Sequence, residues 1–523
     1  MNTQAKPFLM GSETEYAASG RDESGALLCG EEVYDLLAEV VRRERRWLPD
    51  ANDGCGTFLE NGARLYLDCG HPEYATPECR APEQVVCHER AGEELLALAR
   101  REVLRARPGL RLSVAKNNID PVQPDEVSYG THESYTCWVT AEAAAAQLVP
   151  HLVSRVVYAG SGALTAHPEG HGFELSQRAR HLCHVTGGDT TGERAIFTTR
   201  VREDYDGAEG GWVRVHLIGK DSQRSPFGTY LTFAATGLLI EMLNRGHAVG
   251  LGLELAEPVQ ALRTISRDPW LRARVPLLDG RRLTALEIQA SYLEECECGL
   301  QRGGLPEWAP AAVRLWRETL AGLAKGPLGL ADRLDPYCKL LIYEHELLRA
   351  GYDWPDLRDA LGRLKALRAG HGEEVVAAVL AGSAAGLAAE AVAGYDQALT
   401  QSGAGQERVL ERLRFAVRLQ ALDFHYHELG GLYDALRAAG RVRPEVASAA
   451  DVERATREAP PGGRAAARGA CVRELQEGGW NADWGSLWQV PSNRFVDLRD
   501  PFAAGWQVVQ LPQAGAAAAA APA

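Results

Sequence analysis

Asn61-Gly62-Ala63-Arg64-Leu65-Tyr66-Leu67-Asp68-Cys69-Gly70-His71-Pro72-Glu73-Tyr74-Ala75-Thr76-Pro77-Glu78 decides the fold class. Its middle alternates. Ala63, Leu65 and Leu67 fall on one face of an extended strand, and Arg64, Tyr66 and Asp68 fall on the other. One face is fit for a core. The other presents a cation, a phenol and a carboxylate about 7 Å apart at two-residue steps. Cys69 alternates to the apolar side and reads as core. Gly70 and Pro72 break the strand, which puts Glu73 and Thr76 on a turn. Arginine grips phosphate oxygens and carboxylates hold magnesium. Asp68, kept off the metal, can serve as a base or a nucleophile. The same alternation also suits an edge strand with a solvated polar face.

A second stretch, Leu9-Met10-Gly11-Ser12-Glu13-Thr14-Glu15-Tyr16, places Glu13 and Glu15 on one face of another short strand. Two adjacent carboxylates repel unless a cation or basic side chains compensate them. A solvated strand end is the alternative.

These two stretches resemble the signatures of the Pup ligase and depupylase family, enzymes that attach or remove a small ubiquitin-like tag. Further matching segments follow in chain order: Lys116-Asn117-Asn118, Ser128 to Tyr135, Ser176-Gln177-Arg178-Ala179, Thr199-Arg200, Val213 to Ile218, Asp483-Trp484 and Asp500-Pro501-Phe502. The resemblance runs from about residue 8 to residue 502.

Composition is that of a globular chain. Of 523 residues, 46% are hydrophobic and 24% charged, enough to bury a large core in about two to four domains. The net charge of −14 argues against a nucleic-acid partner. Met1 to Pro7 holds no apolar signal-peptide core, and no stretch of about 18 uninterrupted apolar residues occurs, so a cytoplasmic protein without a membrane span is expected. The 11 cysteines are odd in number and scattered, with Cys296-x-Cys298 the only close pair; they read as reduced thiols rather than a zinc site.

Apolar spacing at Val33, Leu36, Leu37, Val40 and Val41 predicts a helix over 31–46. An Asp-, Asn- and Gly-rich loop, Leu48 to Thr57, follows. Helices are expected at 83–106 and 141–157, and strands at 110–116, 129–139 and 213–218. From residue 228 the pattern turns helical, with an Ala-rich run at 373–399. A sheet-rich first half and a helix-rich second half argue α+β. Pro444 opens a different region. The expected division is a large catalytic domain, 1–435, a small C-terminal domain, 440–512, and a disordered Ala-rich tail, 513–523.

The resemblance implies more. The family's fold is a curved antiparallel sheet like that of glutamine synthetase and glutamate–cysteine ligase, with nucleotide and metals on the concave face. By position, Glu13, Tyr66 and Glu73 match magnesium-site residues, Arg64, Thr76 and Trp484 match ATP contacts, and Asp68 matches the catalytic aspartate. ATP and Mg2+ are the implied cofactors, and a Pup-like protein and target lysines the implied partners. A neutral phenol is a poor magnesium ligand, so a water-mediated contact suits Tyr66. Glu15, His132, Glu133, Arg200, Arg214 and His216 are candidates for the same cradle or for structural ion pairs. Lys116 and Asn118 suit phosphate contacts or a turn.

The favoured activity is ATP-dependent ligation. A C-terminal glutamate carboxylate is phosphorylated, and a protein lysine then displaces phosphate. The alternatives are a depupylase or deamidase, with Asp68 as nucleophile, and a catalytically idle nucleotide-binding adaptor. The short loop Leu48 to Thr57 and the ending Asp500-Pro501-Phe502 look ligase-like. The five-step spacing from Asp68 to Glu73 and the segment His171 to Arg178 look depupylase-like. The segment Thr198 to Glu203 departs from the family's pattern, so tag recognition is expected to differ.

Overall fold

The stretch 61–78 folds as an antiparallel hairpin inside a large sheet. The computed structural model describes residues 6–120, 127–189, 192–198, 211–380, 403–443, 446–490 and 492–510. The expected tail, the Thr199-Arg200 match, Pro444 and residues 381–399 of the Ala-rich run lie outside the described residues.

In chain order the first strands are β1 (Met10–Glu15), β2 (Ala17–Arg21), β3 (Leu27–Leu28), β4 (Trp47–Pro49), β5 (Thr57–Leu59), β6 (Arg64–Asp68), β7 (His71–Ala75), β8 (Arg111–Ala115) and β9 (Thr131–Cys137). They are followed by β10 (Ala163–Leu164), β11 (Phe173–Glu174), β12 (His184–Gly187), β13 (Ala195–Thr198) and β14 (Val213–Leu217). Nine of these make one sheet, ordered β12-β13-β14-β9-β1-β7-β6-β5-β4 and antiparallel at every step except β12–β13. A three-stranded sheet, β3-β2-β8, packs beside it. The fold is α+β.

One face of the large sheet is covered by helices. Leu65 and Tyr74 pack with Leu37 and Val40 of α1 (Gly30–Glu44) and with Leu95, Leu96 and Ala99 of α2 (Pro82–Ala106). Tyr135, Val215 and Leu217 join a second core with Phe227, Leu231 and Phe233 of the helix Pro226–Asn244. That helix is buried at every position, which is why it is apolar all round; Ser225 caps it and Pro226 opens it.

The hairpin differs from the sequence expectation at its turn. The chain reverses at Cys69 and Gly70, with φ of 48° and 87°. Two successive positive φ values make a tight hairpin turn. Cys69 is therefore exposed in the turn, not part of the core. Glu73 lies within β7, directly opposite Tyr66 and Glu15. Pro72 is tolerated inside β7 because its carbonyl still accepts from Tyr16 N–H at 2.9 Å while its missing N–H falls beyond the last β1–β7 pair, at Glu73.

The C-terminal region supplies a helix, Gly463–Glu474, and four strands, Trp480–Ala482, Ser486–Gln489, Arg494–Asp497 and Val509–Gln510, in sequential order. Its core, with Cys471, Val472, Trp480, Leu487 and Val496, also takes in Leu48 of β4 and Phe58 of β5. Asp50 bridges to Ala482, and Ala51 N–H donates to Ala482 O at 2.9 Å. The small sheet thus docks directly onto the edge of the large one. Among the described residues no helix is long and apolar enough to cross a membrane.

Candidate active site

Directly opposed residues in antiparallel strands share a face. The register therefore decides what meets on the open side of the sheet. Glu13 lies between Ala75 and His132, Glu15 opposes Glu73, Glu73 opposes Tyr66, and Arg64 opposes Ala75. His216 opposes Ser134, and Arg214 opposes Thr136. Arg64, Tyr66, Asp68, Glu73, Glu13, Glu15, His132, Arg214 and His216 thus stand on one polar face. Glu133 does not: it pairs with Arg155 on the buried side, with Oε2 2.9 Å from Arg155 Nη1. Lys116 is also removed from the cradle, held by Glu89 and, at 2.8 Å, by Glu93 of α2. Asn118 donates to Tyr129 O and Ser222 Oγ at 3.1 and 3.0 Å, a structural role in a buried turn.

Glu15, Asp68 and Glu73 each bring a carboxylate oxygen within 4.8 Å of the others. Gly130 N–H donates to Glu15 at 2.8 Å, and the Tyr66 phenol hydrogen-bonds Glu73. Burial, then the nearby Glu13 and Glu15 carboxylates, push the Glu73 carboxyl well above the usual range. Such an excess of buried negative charge is what a divalent cation relieves, and hard oxygen donors suit magnesium. The residues present therefore fit a magnesium ion. Asp68 stands inside this carboxylate cluster rather than apart from it. Burial, Glu73 and Glu13 raise the Tyr66 phenol well above its ordinary value, so it stays neutral and serves as a donor to Glu73.

Burial works to raise the Glu13 carboxyl, but Arg214 and a hydrogen bond from His132 outweigh it and hold Glu13 well below the usual range. Arg214 Nη2 is 2.8 Å from Glu13 Oε1, and His132 Nδ1 is 3.4 Å from Oε2. The Arg64 guanidinium stacks on the Tyr66 ring, 3.8 Å from its centroid, and is paired with Asp50 and, at 3.8 Å, with Asp53. Sequence reasoning does not single out Asp50 or Asp53; their one signal is the acidic character of the loop before β5.

A cleft of about 660 Å³, open mouth included, begins at this face. Its floor includes Gly11, Glu13, Thr76, Ser134 and Arg214, and the C-terminal region contributes Arg464, Trp484 and Pro501. Thr76 Oγ1 accepts from Ser12 N–H at 3.0 Å and joins β7 to β1 there. Trp484 meets Phe58 edge-on, with centroids 5.3 Å apart, and the Arg468 guanidinium lies 4.7 Å from the Trp484 ring. Arg468 also donates to Gly62 O at 2.9 Å and to Trp484 O at 3.2 Å. Arg464 and Arg468 both reach Glu78, each at 2.6 Å. Burial opposes ionisation of Glu78, but the two guanidinium groups hold its carboxyl down to about 2. Nothing in the sequence pattern marks this three-residue junction, because its members are far apart in the chain.

The chain therefore brings five of the seven expected site residues, Glu13, Arg64, Tyr66, Asp68 and Glu73, onto the neighbouring strands β1, β6 and β7, with Thr76 directly after β7 and Trp484 lining the same cleft as Glu13 and Thr76. Comparison with known proteins identifies the family. Residues 9–365 and 406–488 match the family model described as Pup-ligase protein. A Pup–protein ligase of Acidimicrobium ferrooxidans is 33% identical over 95% of this chain and 96% of its own length. A Pup deamidase/depupylase of Mycolicibacterium smegmatis is 37% identical, but over 57% of this chain and 59% of its own. A solved complex between the prokaryotic ubiquitin-like protein Pup and its ligase PafA has a similar fold, with a TM-score of 0.71 at 22% identity, covering 96% of this chain and 90% of that one. The Pup ligase PafA in complex with ADP aligns with a TM-score of 0.65 at 24% identity, over 86% of this chain and 87% of that one. With a family model spanning most of its length and a relative matched nearly end to end, this chain belongs to the Pup-ligase protein family.

Proposed function

We propose that this protein is an ATP- and magnesium-dependent ligase that joins the C-terminal glutamate of a Pup-like protein to lysines of target proteins. The observation that carries this reading is the cluster of Glu15, Asp68 and Glu73 on the same sheet face as Glu13, which lines a cleft together with Thr76 and Trp484. Glu13 and Glu73 would hold magnesium, with Tyr66 orienting Glu73 through its hydrogen bond. Bound magnesium would neutralise phosphate charge. Arg64, held by Asp50 and Asp53, would balance the developing charge on the transferred phosphoryl group. Trp484 offers adenine a flat apolar wall, and Thr76 closes the floor beneath it. Asp68, at the end of β6, is placed to accept the proton of an incoming lysine ammonium. Once the glutamate carboxylate carries a phosphoryl group, the amine attacks its carbonyl carbon and phosphate leaves.

The ligase direction is supported by near full-length similarity to a Pup–protein ligase. The depupylase reading keeps two supports in the sequence, the five-step spacing from Asp68 to Glu73 and the segment His171 to Arg178, and in it Asp68 attacks an amide carbonyl instead.

The test mixes the purified protein, ATP, magnesium, a Pup protein ending in Glu and a lysine-bearing target. A conjugate on a gel, absent in Glu13→Ala and Glu73→Ala, is the expected result. Cleavage of a preformed conjugate with no ligation would reverse the direction. ATP affinity equal to wild type in both variants, with or without magnesium, would refute the metal assignment.

A further inference from the structure

The two ion pairs nearest the centre of the sheet are built differently. Glu133 and Arg155 lie on the helix-covered side, with 0% and 5% of their side chains exposed. Glu13 and Arg214 lie on the open side, each with 22% exposed, and both line the cleft. A pair buried like the first is structural. A pair standing open to a ligand cleft can be exchanged.

The Arg214 guanidinium is held from several directions. Its Nε and Nη2 donate to Ser134 Oγ at 3.1 and 3.0 Å, and Nη2 also reaches His216 Nδ1 at 3.0 Å. A guanidinium can only donate, so His216 Nδ1 accepts and the ring proton sits on Nε2. That nitrogen lies 4.0 Å from Glu13 Oε2, and His132 Nδ1 lies 3.4 Å from the same oxygen. Both oxygens of Glu13 are thus covered by side chains of β9 and β14. Glu13, His132 and His216 bring ligand atoms within 4.8 Å of one another, so a metal ion that takes Glu13 can keep the histidines as ligands. The Arg214 guanidinium cannot ligate and repels a cation, so it is the neighbour that must give way.

We propose that Arg214 is the internal counter-cation of Glu13, which a divalent cation displaces, and that the released guanidinium then binds a phosphate oxygen of the nucleotide. The inference rests on the magnesium role proposed for Glu13. Ser134 keeps the guanidinium beside the cleft during the exchange. Neither ligand alone is well served. A metal alone leaves a half-buried guanidinium without its carboxylate, and a phosphate alone must compete with Glu13 for Arg214. Together they satisfy both charges, so metal and phosphate bind with positive and reciprocal coupling.

The test titrates Mn2+ alone, inorganic phosphate alone, and each in the presence of the other, into wild type, Arg214→Met, Arg214→Lys and Glu13→Gln. Arg214→Met is expected to bind Mn2+ alone about tenfold more tightly than wild type, the low end of what changes beside a metal ligand do to affinity. It is also expected to lose the strengthening of phosphate binding by Mn2+. Arg214→Lys keeps a charge without the fork; it should lie between the two, and it decides the matter if Arg214→Met melts far below wild type. Unchanged or weaker Mn2+ affinity in a folded Arg214 variant, or coupling that survives Arg214→Met, overturns the proposal. Mn2+ affinity unchanged in Glu13→Gln would instead refute the metal role of Glu13, which separates the two failures.

Discussion

Asp68 is the last residue of β6, where the polar face of the strand meets the exposed turn. It shares its surroundings with Glu15 and Glu73, yet it sits at the open end of the carboxylate cluster. Asp68→Asn is nearly isosteric and removes only the charge and the proton-accepting capacity. Melting temperature and ATP affinity are expected to stay close to wild type. Turnover should fall by about 100-fold or more, the usual scale for a positioned general base. Ligation or amide cleavage, measured on the same preparation as melting and ATP binding, checks this. Full turnover would leave Asp68 a structural neighbour of the cluster. At this scale much was legible. Arg64, Tyr66 and Asp68 share a face because a strand has a period of two. The same rule places Glu133 opposite His132 and Ser134, so its burial with Arg155 was readable in principle. The pairing of Lys116 with Glu89 and Glu93 was not, since only the packing of α2 brings those carboxylates to it.

Among elements, the β6–β7 hairpin was legible as a strand and a return, but not in its turn. Pro72 and Gly70 look like a single break, and only the register shows that the reversal is complete at Gly70. The turn is also braced from outside the hairpin. A Cβ added to Gly30, the first residue of α1, would lie 2.0 Å from the Gly70 carbonyl oxygen. The helix start and the turn are in backbone contact there, and only glycine permits it. Gly30→Ala must push α1 away from the turn that follows Asp68. A loss of about 1–3 kcal/mol is expected from this overpacking. Turnover should fall with it, because the turn follows Asp68 directly. Urea unfolding and turnover measured together test this; unchanged values for both would mean that the contact relaxes freely. The boundaries of the helices followed the apolar spacing closely, as at Gly30–Glu44 against the expected 31–46. Long amphipathic segments carry that signal in their own residues.

In the whole molecule, the sequence sets the C-terminal region apart at Pro444, but it does not show how that region attaches. Its core borrows Leu48 and Phe58 from the large sheet, and its helix is bound to the turn after β7 through Glu78, Arg464 and Arg468. Those contacts join residues hundreds of positions apart, and local pattern is silent about them. The junction also sets Trp484, because Arg468 holds both the Trp484 carbonyl and its ring. Its electrostatics lead to a pH-dependent prediction. Glu78 has a folded value of about 2 against an ordinary 4.5. A depressed carboxyl contributes stability that is fully present above its unfolded value and is lost as pH falls toward its folded one. That contribution is roughly 3 kcal/mol, from the two values and about 1.4 kcal/mol for each step of pKa. Glu78→Gln should therefore be less stable than wild type by about that amount at pH 7, and two buried arginines would be left short of an acceptor. The gap should narrow as pH falls from about 4.5 toward 2, since wild type then protonates the same carboxyl. ATP affinity should weaken in the variant at pH 7, because Trp484 loses its fixed position. Urea unfolding of both proteins across this range measures the gap directly. A gap independent of pH would show that the loss comes from packing at the junction and not from the charge of Glu78.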